Sequence, residues 1–189
     1  MNKKSLLVAV ALVASSMLSC SGELTDNASP VTLVVTNAQN LRVIDIAPNT
    51  DPDCDENVGT INMQVIPKSD NATGNFVQVR VNRYRVSYQR TDGGSQVPAP
   101  FVRSMDTLIG VGGTSSLSAF TILEGDALNQ APFVALQPQN GGRDPQTLRP
   151  VIKLEVIVEI FGETLAGDNV YDATRFPLDF CYDCGGCQK

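Results

Sequence analysis

The 189-residue chain contains no histidine and no tryptophan, and only 6% of it is aromatic. Without histidine there is no Ser-His-Asp or Cys-His nucleophile, no imidazole ligand for zinc, and no C-x-x-C-H attachment site for haem. Four Tyr and seven Phe must serve both core and surface, so aromatic platforms that stack on sugars are scarce. The leading apolar run, Leu6 to Ala14, is nine residues long, well short of the roughly 20 that a membrane-spanning helix needs. The glycines of GVGGTSS at 110–116 lack the Gly-Lys pair of a phosphate-binding loop, and no helical pattern follows them. They read as a strand connection that uses positive φ angles. Carboxylate catalysis is the route left open. Glu155 and Glu159, four residues apart on one strand face, would stand roughly 13 Å apart, beyond the about 5 to 9.5 Å that glycoside hydrolysis uses. The expectation is a solvated, charged sheet face and no enzyme.

What is present begins at the N-terminus. MNKKSLLVAVALVASSMLSCSG places Lys3 and Lys4 before the apolar run, then small residues leading into Cys20, the three-part pattern of a secretory signal. The junction Met17-Leu18-Ser19-Cys20 resembles the lipobox of bacterial lipoproteins; Ser19 is the small residue wanted before the cysteine, and Met17 and Leu18 depart from the usual pattern. The resemblance implies removal of residues 1–19, a diacylglycerol on the Cys20 thiol and an acyl chain on its new amino group. Three acyl chains exceed the two signals that stable anchoring takes. Ser21 rather than Asp after the cysteine implies the outer membrane by the sorting rule of that family. Localisation to the cell envelope, with the membrane as one partner, follows from the resemblance.

Residues 20–29 are polar and turn-rich, and read as a lipidated cysteine with a flexible tether spanning up to about 30 Å at about 3.3 Å per residue. Residues 30–189 form one domain of ordinary size. Loss of Lys3 and Lys4 leaves 12 basic and 20 acidic residues, a net charge of −8. An acidic surface opposes nucleic acid and anionic headgroups as partners.

Along the domain, apolar residues recur with period two, the mark of strands with one buried face. In PVIKLEVIVEIFG, Ile152, Leu154, Val156, Val158 and Ile160 share one face and Lys153, Glu155 and Glu159 the other. After the turn chemistry of Gly167-Asp168-Asn169, Phe176, Leu178 and Phe180 alternate again, predicting a long antiparallel hairpin. Pro177 assigns its second strand to an edge or a bulge. Val77, Val79 and Val81 alternate in one phase and Tyr84, Val86 and Tyr88 in the other, which predicts a bulge near Asn82-Arg83 or a strand that changes sheets. Further strands are predicted at 31–36, 41–46, 61–66, 116–123 and 132–136; ILEGDALNQ at 122–130 supports a single helical turn at most. Seven or eight strands joined by turn-rich segments predict an all-β fold, a two-sheet antiparallel β-sandwich. The last hairpin resembles that of immunoglobulin-like or fibronectin-like bacterial surface domains, although the Trp landmark of antibody domains is missing. The expected class is an immunoglobulin-like sandwich.

Two clusters could carry chemistry. In TDPDCDEN, Asp51, Asp53 and Asp55 have the D-x-D-x-D spacing of calcium loops, because alternating carboxylates can converge on one hard cation. Glu56 stands where the turn glycine belongs and Pro52 stiffens the segment, so a solvated acidic loop is the competing reading. With Cys20 assigned to lipid, Cys54, Cys181, Cys184 and Cys187 remain, an even number in an exported chain and therefore a disulfide set. A thioredoxin-type centre needs a helix after its C-x-x-C, and only five residues follow Cys184. A four-cysteine metal site is the alternative. Three connectivities are open, each joining Cys54 to one tail cysteine and the other two to each other. The chain is thus expected to be a lipid-anchored envelope module, interacting or structural, with an envelope protein or glycan as partner. The alternatives are a calcium-assisted ligand- or carbohydrate-binding module and a four-cysteine metal-binding protein.

Overall fold

The computed structural model describes residues 29–38, 43–47 and 58–184. Among them there is no α-helix; eight strands form two sheets. The smaller sheet has the order β1 (Val31–Asn37), β3 (Val58–Pro67), β6 (Thr114–Thr121), and both of its pairings are antiparallel. The larger has the order β2 (Val43–Asp45), β8 (Asn169–Cys181), β7 (Val151–Thr164), β4 (Val79–Arg90), β5 (Phe101–Ile109).

The expectation of wholly antiparallel sheets is corrected by β2. Its three residues run parallel to β8, pairing Val43 with Asp179 and Asp45 with Cys181, so the larger sheet is mixed. A short edge strand tolerates this because only a few ladder bonds depend on the slanted parallel geometry. The predicted strand at 132–136 is also corrected: residues 133–136 form a 3-10 turn that buries Phe133 and Leu136, and the Phe133 ring lies 4.2 Å from that of Phe180. An apolar run of that length does not discriminate strand from buried turn.

The alternating residues do what their period predicts. Ile152, Leu154, Val156, Val158 and Ile160 of β7 are fully buried, and Leu33, Ile61, Met63 and Val65 of the smaller sheet join them in one core. Each such side chain contributes about 1.5–3 kcal/mol relative to exposure, set against the entropy of ordering the chain. The phase flip in β4 is a bulge: the register shifts between Val81 and Arg83 against both β5 and β7, so Val79 and Val81 before it, and Tyr84, Val86 and Tyr88 after it, all face the core. Opposite the bulge, a Cβ on Gly162 would sit 2.8 Å from the Arg80 carbonyl oxygen, so the close approach requires glycine there. Pro177 lies where β8 is locally an edge, since β2 covers only Asp179 to Cys181.

The strand directions give the molecule two ends. At the entry end, Pro30 leads into β1 and accepts a hydrogen bond from Lys68 N (2.9 Å). Residues 68–78, the 110–113 turn and the 165–168 hairpin turn lie there too, tied by Gly112 N to Val65 O and Ala166 N to Phe76 O. At the tail end, β8 finishes beside β2 and the start of β7. Residues 91–100 and the strand-free segment 122–150 connect strands at this end.

Candidate functional site

The tail end collects the chemistry. Cys181 and Cys184 are joined by a disulfide, with Cα atoms 6.0 Å apart and Cys181 buried. Asp45 of β2 organises the loop that the bond closes. Its Oδ1 accepts from Asp183 N (2.8 Å) and Ala47 N (2.9 Å), and its Oδ2 accepts from Cys184 N (2.7 Å). Asp183 holds φ 52°, and successive backbone N–H groups beside such a left-handed residue form a concavity that suits an anion, here a carboxylate from the chain itself. Parallel β2 therefore does more than extend the sheet: it brings Asp45 to the tail.

A second cluster fastens the neighbouring loops. The Arg90 side chain at the end of β4 is 1% exposed and lies between the fully buried carboxylates of Asp92 and Asp144. Its Nε and Nη2 donate to Asp92 at 2.7 and 2.8 Å, its Nη2 donates to Asp144 at 2.7 Å, and its Nη1 donates to the Gln96 carbonyl. Asp92 also accepts from Lys153 N and Gly94 N, and Asp144 accepts from the backbone and hydroxyl of Thr147. Burial pushes the Asp92 carboxyl upward, but the Arg90 guanidinium and the two backbone donors outweigh it and bring the pKa down to about 2. Asp144 is lowered in the same way: its burial is outweighed by Arg90 and Thr147. A Cβ on Gly94 would collide with the Arg90 guanidinium, so packing favours the second glycine of TDGG, while Gly93, at φ 94°, serves the turn. The charge pattern alone gave no sign of this cluster; only Asp92, within TDGG, carried a local signal, and that was for a turn.

Between these loops and the edge of the sheet lies an open cleft of about 500 Å³. Residues 98–101 form one wall and residues 124–127 with Gln130 and Ala131 the other. Tyr84 supports it from beneath, edge-on to Phe101 (6.5 Å) and Phe120 (5.7 Å). Arg103 links the two walls, paired with Glu124 at 3.0 Å and 5.9 Å from the centre of the Phe101 ring. Its walls carry two prolines, one aromatic ring and the Asp126 carboxylate, with the Glu124 carboxylate already paired to Arg103.

The sequence-derived candidates divide unevenly. Cys181 and Cys184 are brought together; Cys20, Cys54, Cys187, Asp51, Asp53 and Asp55 lie outside the described residues. Among the described residues, no group of three or more His, Cys, Asp or Glu is arranged to hold a metal ion. Glu155 and Glu159 sit on the outer face, paired with Arg175 at 3.2 Å and Arg85 at 3.5 Å, as the solvated-face reading expects. No family model matches the chain, and no curated protein matches it.

Proposed function

We propose that the chain is a lipid-anchored protein of the cell envelope, acylated at Cys20 and directed to the outer membrane, whose immunoglobulin-like β-sandwich is a non-enzymatic interaction module. The observation that carries this reading is the polarity of the domain. The chain enters at Pro30, ten residues after Cys20, while the cleft and the disulfide-closed tail lie at the opposite end. A lipid on Cys20 then holds the entry end near the bilayer and turns the tail end toward a partner. The cleft favours a protein segment over a glycan, because only Phe101 offers a ring on its walls. With Cys181 and Cys184 joined, Cys54 and Cys187 are left as the second pair of the staple.

Membrane fractionation tests the anchor. Cys20→Ala should move the protein from the membrane pellet to the soluble fraction, whereas continued pelleting after a carbonate wash would contradict it. Peptide mapping without reduction should recover Cys54 linked to Cys187, and free thiols at both positions would contradict the staple.

A further inference from the structure

Large hydrophobic side chains left in solvent are unevenly placed. Among the described residues there are six, and four of them, Ile66, Phe76, Leu108 and Leu165, belong to strand ends or turns at the entry end. Phe76 is 75% exposed and Leu165 47% exposed, and the backbone of residues 76–78 is hydrogen-bonded to that of residues 165–166, so the two project from one structured tip. A lone exposed leucine needs no explanation, whereas apolar residues grouped on adjoining turns mark a contact surface. Formal charges in segments 68–78 and 165–168 are Lys68, Asp70 and Asp168, which offers little attraction to an anionic surface.

We propose that this tip is a membrane-contact surface, with Phe76 and Leu165 entering the interfacial region of a zwitterionic bilayer. The inference rests on the lipid-anchor reading and goes beyond it, because an anchored domain need not touch the membrane. Geometry selects the occupant. The segment from Cys20 to Pro30 reaches at most about 30 Å. The 14 residues of β7 alone span about 46 Å from one end of the domain to the other. A tether shorter than the domain, attached at the entry end, keeps the apolar tip within reach of the bilayer and excludes the inverted orientation in which the tail end alone meets it. Aromatic and aliphatic side chains on such a tip add buried apolar area to the acyl anchor and fix the domain upright.

The absence of tryptophan supplies the test. The acylated full-length protein carrying Phe76→Trp is reconstituted into vesicles of phosphatidylcholine and phosphatidylethanolamine, with and without acyl-brominated lipid, beside a second protein carrying Val102→Trp. Val102 is 58% exposed and lies near the start of β5, whose far end adjoins the tip. The proposal expects a blue-shifted emission for Phe76→Trp that brominated lipid quenches, and no quenching for Val102→Trp. Vesicle-bound Phe76→Trp that is neither shifted nor quenched overturns the membrane contact and leaves the anchor standing. Failure of both proteins to float with vesicles overturns both readings. A blue shift of Phe76→Trp that grows with protein concentration without lipid makes the tip a contact between copies of the chain, which also overturns the proposal.

Discussion

The two ends of the two-sheet domain are held in different ways. At the tail end, a disulfide closes the last short loop, and the Asp45 carboxylate and the buried Arg90–Asp144 pair tie together segments far apart in the chain. At the entry end, the turns are joined by backbone hydrogen bonds and by the Thr164 hydroxyl, which bonds Asp168, while apolar side chains face outward. A surface that must present a fixed shape to a partner gains from buried, hydrogen-bonded polar groups, whose geometry is specific. A surface that meets fluid lipid requires only apolar area in the right place. The contrast in bonding thus follows the proposed contrast in task.

Removing the cation from the buried cluster breaks that contrast most severely. Arg90→Ala leaves Asp92 and Asp144 buried and uncompensated, and is expected to cost about 3–5 kcal/mol in urea unfolding. A loss under about 1 kcal/mol would mean that the tail-end loops do not depend on the cluster. Acid probes the same site without mutation. The folded pKa of Asp92, about 2, lies below its ordinary 3.8, so its contribution is complete above about pH 4 and disappears as pH falls through about 2. The amount is on the order of 2 kcal/mol, and Asp92→Asn should remove that part of the acid slope. Replacing both Cys181 and Cys184 by Ala opens a short loop and is expected to cost about 2 kcal/mol on chain-entropy grounds, read as a lower urea midpoint. Phe76→Ser with Leu165→Ser, at the other end, should change stability by less than about 0.5 kcal/mol in the same assay, because neither side chain is in the core. A larger loss would show that the tip is part of the packed structure and not a free surface.

Much of the fold was legible wherever one face of a strand is fully covered. The five buried residues of β7 and the phase flip in β4 declared themselves because a two-residue period changes face with any insertion. Strand β5 did not. In FVRSMDTLI the inward positions include Arg103 and Thr107, while Val102 and Leu108 point outward, since cover is thin at this edge and the alternation is blurred. The parallel pairing of β2 depends on where β8 ends, which three residues of local sequence do not encode. The cysteine count pointed to a disulfide set, and Cys181–Cys184 is the pair found among the described residues. Arg90 and Asp144 stand 54 positions apart, and nothing local to either announces that they meet. The cleft was equally hidden, because its walls come from two connections whose proximity is set by the sheets beneath them.

The orientation of the domain is the centre of this account, and amide NMR of the acylated protein in nanodiscs carrying a headgroup spin label tests it most directly. Paramagnetic broadening should be strong for amides in segments 69–77, 111–113 and 165–168, and absent for Thr91 to Gln96, Asp183 and Cys184. Broadening concentrated at the tail end, or spread evenly over both ends, would contradict it.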